Sequence, residues 1–130
     1  MLSGCINKMA FIRRDALEFM LGVSREAHPR EFIGLLRGDE NTVREVMVIP
    51  ASLYGEGFSH FNWMHVGMDK SIIGSVHSHP STNNRPSKTD VRNFSKTGDI
   101  HLIIKYPYET AADVACYDSR GNRQDIIALE

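Results

Sequence analysis

Ser71-Ile72-Ile73-Gly74-Ser75-Val76-His77-Ser78-His79-Pro80, the polar loop Ser81-Thr82-Asn83-Asn84-Arg85-Pro86 and then Ser87-Lys88-Thr89-Asp90 form the stretch on which fold and chemistry both turn. A short apolar run ends in two histidines one residue apart. Side chains alternate along a strand, so His77 and His79 project to the same face. Both stand at the strand's C-terminal end, just before Pro80, which cannot donate to a continuing ladder. Asp90 offers a carboxylate across a short loop. Two imidazoles and a carboxylate on one surface are the donor set of a catalytic zinc, with the fourth position left for water.

Outward from this stretch, the chain alternates strand and helix signals. Residues 1–12 read as an extended lead-in, with Phe11 and Ile12 able to enter a sheet edge. Asp15 with Glu18 three residues on has the form of a helix start. Leu17, Met20, Leu21 and Ser24 keep helical spacing, and Pro29 ends a helix predicted over residues 14–28. Gly22 weakens that helix by roughly 1 kcal/mol relative to Ala, so packing must hold it. Glu31 to Leu36 is an almost unbroken apolar run, which suits a strand covered on both faces. Gly38 to Asn41 is a turn and Thr42 to Ile49 the returning strand.

Ala51 to Gly57 reads as a loop and Phe58 to Trp63 as a further strand, whereas Met64 to Lys70 carries no clear pattern. Ser87 to Thr97 reads as a short helix ending near Gly98. Ile100–Lys105, Asp113–Tyr117 and Asp125–Leu129 complete the strands. The expected fold is α/β (α+β, mixed sheet): one domain over residues 1–130, a curved mixed sheet flanked by two or three helices.

Composition narrows the function classes. A chain of 130 residues buries roughly two-thirds of its unfolded surface, enough for a real core. With 42% hydrophobic and 24% charged residues it reads as an ordinary soluble globular protein. The net charge of −1 and the scattered Lys and Arg argue against nucleic acid or an anionic membrane as partner. No apolar run approaches a membrane span, and residues 1–12 do not resemble a signal peptide. Cys5 and Cys116 have no metal spacing; the sequence allows free thiols in a reducing cytoplasm, which is favoured, or one long-range disulfide.

A three-ligand zinc makes its bound water a nucleophile near neutral pH, but it still needs a general base and a donor for the oxygen that gains charge. A Glu near the metal and a hydroxyl beside it would serve, and Ser87, three residues before Asp90, is a candidate hydroxyl. Other histidine-pair chemistries lack their parts here. The position two after His79 is Ser81, where a metallo-β-lactamase-like site wants Asp. There is no His-Glu-x-x-His, no Cys-x-x-Cys, and too few residues for an amidohydrolase barrel.

One family fits. His77-Ser78-His79-Pro80, the run to Pro86, then Ser87, two residues and Asp90 resembles the JAMM (MPN-plus) metalloprotease motif, His-x-His-x7-Ser-x2-Asp. That family also uses an upstream Glu on the strand after its first helix. Ala27-His28-Pro29-Arg30-Glu31-Phe32-Ile33-Gly34-Leu35-Leu36 resembles that segment and puts the matching Glu at Glu31. The resemblance covers about residues 13–117. It implies one Zn2+ held by His77, His79 and Asp90, with Glu31 as the base and Ser87 as the oxyanion donor.

It also implies a peptidase or isopeptidase. The implied substrates are conjugates of a ubiquitin-like modifier or sulfur-carrier protein, cut after Gly-Gly. An extended tail can add to a sheet edge, and only glycine permits close backbone approach. Nine residues separate Asp90 from Ile100, and the segment near residues 51–69 is short, so the chain resembles the compact prokaryotic members. Whether residues 51–70 order on binding, and whether the protein is a monomer or homodimer, the sequence leaves open.

Blander readings stand beside these. Alone, Ser87-x-x-Asp90 is a helix capping box; it competes with the zinc site for the same two side chains, though Asp90 can serve both from the first helical turn while the Ser87 hydroxyl is expected to choose a dominant partner. His28, His60, His65 and His101 lack partner spacing and read as structural; Phe58, Phe61 and Trp63 read as core packing. A catalytically silent MPN scaffold would have lost a ligand, and none is missing. A hydrolase releasing an amino acid from a sulfur carrier in cysteine synthesis would share all five residues.

Overall fold

The computed structural model describes residues 9–53 and 69–130. In chain order these form β1 (Met9–Arg13), α1 (Arg14–Ala27), β2 (Ile33–Asp39), β3 (Thr42–Val48), β4 (Ile72–His79), α2 (Lys88–Phe94), β5 (Ile100–Lys105), β6 (Val114–Tyr117) and β7 (Arg123–Leu129). Short 3-10 turns occupy Ala51–Leu53 and Ala111–Asp113. The expected strand at Phe58–Trp63 lies outside the described residues, as do Cys5, His60 and His65.

The strands lie in the order β1-β3-β2-β4-β5-β6-β7, and the sheet closes on itself. It is mixed: β2 pairs antiparallel with β3 and β4, while β4 and β5 run parallel. Closure comes from β1. Phe11 and Ile12 sit opposite Thr42 and Val43 of β3 on one side and Ile127 and Ala128 of β7 on the other, both parallel. Phe11 and Ile12 therefore bridge two strands rather than enter an edge. The alternation of exposed Met9, buried Ala10 and buried Ile12 is that of a strand with one face on the core.

The first helix starts two residues earlier than its capping signal. Arg13 is the N-cap, extended at φ −63° and ψ 142°, and its side chain caps nothing. The reason is that β1 runs into α1 with no loop, so the end of the sheet sets the start of the helix. Asp15 falls within the first turn, where its carboxylate accepts from Ala16 N at 2.8 Å and complements the positive helix end. Ala16, Leu17, Met20, Leu21 and Ser24 form the buried stripe. Ser24 satisfies its hydroxyl on Met20 O at 2.7 Å. Burying each large apolar side chain of this stripe contributes roughly 1.5–3 kcal/mol, more than Gly22 costs.

The central strands are covered on both faces. Leu36, Val76, Leu102 and Ile104 join the α1 stripe in one cluster. Ile33, Leu35, Ile103, Ala115 and Tyr117 pack with Phe94 of α2 in the other. This explains the unbroken apolar run of β2. Within the sheet, β4 and β5 approach closely at Gly74: a Cβ there would lie 1.5 Å from Ile100 O, so no other residue fits this pairing. Among the described residues, no helix is long and apolar enough to cross a membrane.

Candidate metal centre

The site grows from the register of β2 against β4. Ile33 stands opposite His77, and Ser78 N donates to Phe32 O at 2.9 Å, so the pairing continues beyond the end of β2. Facing residues in a pair share a face, which puts Glu31 on the side of His77 and His79. Phe32 N donates to the buried Ser78 hydroxyl at 2.8 Å. Ser78, the middle residue of the histidine pair, thus locks the start of β2 to the metal strand from the opposite face. Its sequence signal is a hydroxyl in a buried strand, which must find a partner there.

His77 is buried at 1% exposure, and His79 is more open. Nδ1 of His79 lies 2.7 Å from Asn83 O. A carbonyl oxygen only accepts, so Nδ1 carries the proton and Nε2 keeps its lone pair. That Nε2 faces His77 Nε2 at 3.2 Å and Asp90 Oδ2 at 3.9 Å, with His77 Nε2 and Asp90 Oδ2 3.5 Å apart. A point equidistant from the three atoms lies about 2.1 Å from each, the length of a zinc–nitrogen or zinc–oxygen bond. The donor set and its spacing fit one Zn2+. Glu31 stands outside this cluster.

Asp90 comes in from α2. Ser87 is the N-cap; its hydroxyl accepts from Asp90 N at 3.0 Å, and Asp90 Oδ2 accepts from Ser87 N at 2.9 Å. The capping box is complete and coexists with the metal site, as Asp90 in the first helical turn allows. A carboxylate oxygen has a lone pair for Ser87 N and another toward the histidines. The Ser87 hydroxyl uses a lone pair in the cap and keeps its proton to donate elsewhere. Burial pushes the Asp90 carboxyl up, but the His77 imidazole and the Ser87 amide outweigh it and hold the group at about 2. Asp90 is ionised at neutral pH.

The loop between β4 and α2 is fastened at several points. Tyr106 N donates to Ser81 O at 2.9 Å, Tyr117 Oη to Asn84 O at 2.8 Å, and Asn84 Nδ2 to Asp113 O at 3.2 Å. These bonds hold Asn83 O where His79 needs it. No residue-type pattern announces them, because the acceptors are backbone carbonyls.

One step deeper on the same face lies a third imidazole. His101 is fully buried, stacked on Phe94 at 4.3 Å between ring centroids. Nε2 donates to Gly98 O at 2.7 Å, so Nδ1 is the acceptor from the Ser75 hydroxyl at 2.8 Å. Gly98 can offer that carbonyl because it adopts φ +134°, where a side chain would be strained. Burial, foremost, lowers the pKa of His101 to about 4.

Comparison with known proteins agrees with this geometry. The family model of prokaryotic homologues of the JAB domain matches residues 14–117. A "probable metalloprotease" of Haloferax volcanii is 35% identical over 129 residues, covering 92% of this chain and 79% of the relative. A JAB1/MPN domain protein from Archaeoglobus fulgidus superposes with a TM-score of 0.71 at 32% identity, covering 92% of this chain and 98% of that one. A structure described as JAMM, a metalloprotease-like zinc site in the proteasome and signalosome, superposes with a TM-score of 0.73 at 31% identity, covering 95% of this chain and 100% of that one. A protein from Desulfitobacterium hafniense at 24% identity and TM-score 0.58 shares the fold. The chain belongs to the prokaryotic homologues of the JAB domain, and it is a compact JAMM/MPN domain with the zinc site of a metalloprotease.

Proposed function

We propose that this protein is a zinc-dependent isopeptidase that hydrolyses the amide bond after the C-terminal Gly-Gly of a ubiquitin-like or sulfur-carrier protein. The observation that carries the reading is the convergence of His77 Nε2, His79 Nε2 and Asp90 Oδ2 beside a hydroxyl whose proton is left to donate. His77, His79 and Asp90 hold the metal. When bound, zinc supplies Lewis acidity toward a water and toward the scissile carbonyl. Glu31, on the same face as the histidines, takes a proton from the attacking water and passes it to the leaving amine. Ser87 donates its hydroxyl proton to the carbonyl oxygen as charge builds there. Asp90, ionised and held by Ser87 N, adds negative charge at the metal position and keeps α2 in place.

β4 is paired on both sides, by β2 and β5, so an extended substrate tail reaches the site across strand ends rather than by adding beside β4. Two glycines suit such an approach, since neither presents a Cβ to the strand ends. Cys116 is free and buried, its thiol pushed up to about 12, and plays no part in the chemistry. A free thiol suits a cytoplasmic enzyme.

The test is incubation of purified protein with ubiquitin-like and sulfur-carrier fusions ending in Gly-Gly, with and without a chelator, read by mass spectrometry. Cleavage after the second glycine that the chelator abolishes and zinc restores is the expected result. No cleavage of any fusion by zinc-loaded protein would defeat the assignment.

A further inference from the structure

We propose that Tyr108 is a positioning residue for the metal site, its hydroxyl holding the His79 end of β4 against the turn that leads to Glu31. The inference rests on the reading of His79 as a ligand and adds a residue to it. Tyr108 is far from the motif in sequence, and it is 1% exposed. Its hydroxyl donates to His79 O at 2.8 Å. That commits its only proton, so the contact with His28 Nδ1 at 3.0 Å has the imidazole donating to the phenol oxygen. One hydroxyl thereby joins the last residue of the metal strand to the residue that caps α1, three positions before Glu31.

The rest of Tyr108 is held with equal care. Its backbone has φ +61°, an uncommon conformation for a bulky non-glycine residue. Arg25 of α1 donates to its carbonyl oxygen. Its ring meets those of His28 and Tyr106 edge-on, at 5.6 and 5.7 Å between centroids. A side chain meant only to fill space needs neither the left-handed backbone nor two directed bonds on one oxygen. Together with Asn83 O on the imidazole itself, Tyr108 fixes His79 at two points, the ring and the main chain. Partners of this kind around a metal ligand govern both affinity and orientation.

The decisive measurement is the zinc affinity of folded Tyr108→Phe, by competition with a chelator of known affinity. The melting temperature is recorded in parallel. The expected result is binding about 10-fold weaker than in the parent. A residue that acts only by packing would lower the melting temperature and leave the affinity of the folded protein unmoved, and that outcome overturns the proposal. Should Tyr108→Phe not fold, His28→Phe takes its place. It keeps a ring beside Tyr106, removes the donor that orients the phenol, and is expected to weaken zinc binding by roughly 3-fold; unchanged affinity there overturns the proposal equally. Parent protein that binds zinc but cleaves no fusion defeats the proposed function and leaves Tyr108 to be judged by affinity alone. Parent protein that cleaves fusions while Tyr108→Phe binds zinc normally defeats only the role of Tyr108.

Discussion

Ser75, His77 and His79 line one face of β4, and the two ends of that short row behave in opposite ways. At the inner end, Ser75 and His101 form a hydroxyl–imidazole pair with every proton assigned, closed under Phe94. At the outer end, where β4 finishes, the imidazoles of His77 and His79 turn toward the carboxylate of Asp90. The residue types are nearly the same. The difference lies in where the lone pairs point and whether a reactant can reach them. Inside, the Nδ1 lone pair of His101 is consumed by Ser75. Outside, the Nε2 lone pair of His79 is exposed because Asn83 O has taken the proton on the other nitrogen. A buried Ser–His contact is therefore not a catalytic dyad, and a looser cluster is a metal site.

The sharpest way to break this contrast is to remove a donor at each end. His77→Ala and Asp90→Ala are expected to lose zinc, measured by elemental analysis, and with it all hydrolysis. His101→Ala is expected to keep zinc and to lose stability instead, by about 2–4 kcal/mol in denaturant melts, through the cavity and the unpaired Ser75 hydroxyl. Full zinc retention in both outer variants would sink the ligand assignment.

Glu31 comes next in size. Glu31→Gln preserves shape and hydrogen bonding but cannot take a proton. It is expected to keep zinc and lower kcat by ~10²-fold or more, the usual reach of a general base. Full activity in that variant would mean that another group abstracts the proton.

Why some of this was legible from residue types and some was not has a physical basis. His77, His79 and Asp90 lie within one local stretch, and strand alternation plus a short loop suffice to bring them together. Glu31 is forty-six positions before His77. Only the resemblance singled it out, because the bonds that align β2 with β4, Phe32 with Ser78 on both backbone and side chain, cannot be read from periodicity. Tyr108 and Asn83 act through main-chain oxygens, which every residue has. The closure of the sheet was equally hidden: the parallel match of Met9–Arg13 with Asp125–Leu129 joins the two ends of the chain, and a five-residue strand of ordinary composition announces no partner. The start of α1 at residue 14 was legible but its cap was not: Asp15 fits a cap by type, while β1 dictates the entry by geometry and puts Arg13 at the cap position.

Ser87 tests whether cap and chemistry share one side chain. Ser87→Ala is expected to leave zinc bound and raise the barrier by about 2–4 kcal/mol, seen as lower kcat with KM little changed. Separately, the loss of the cap is expected to cost about 1 kcal/mol of stability. A stability change without a kinetic one would reduce Ser87 to a cap.

The remaining expected effect belongs to the inner end, and its sign follows from burial. His101 has a folded pKa of about 4 against an ordinary value of 6.5. Above pH 6.5 both folded and unfolded chains hold it neutral, and it contributes no pH dependence. As pH falls below 6.5 the unfolded chain binds a proton that the folded chain refuses. Stability is then lost at up to about 1.4 kcal/mol per unit, until the folded form also titrates near pH 4. Asp90, depressed to about 2, adds its own loss only below its unfolded value of 3.8. The two windows meet near pH 4 but overlap little. Denaturant melts of metal-free protein between pH 7 and 4 therefore separate His101 from Asp90, and comparison with a variant singles it out. In His101→Gln, which cannot titrate, the decline over this window is expected to become shallower by up to that slope. An unchanged decline would mean that the inner imidazole is already solvated, and the contrast between the two ends of the strand would fail.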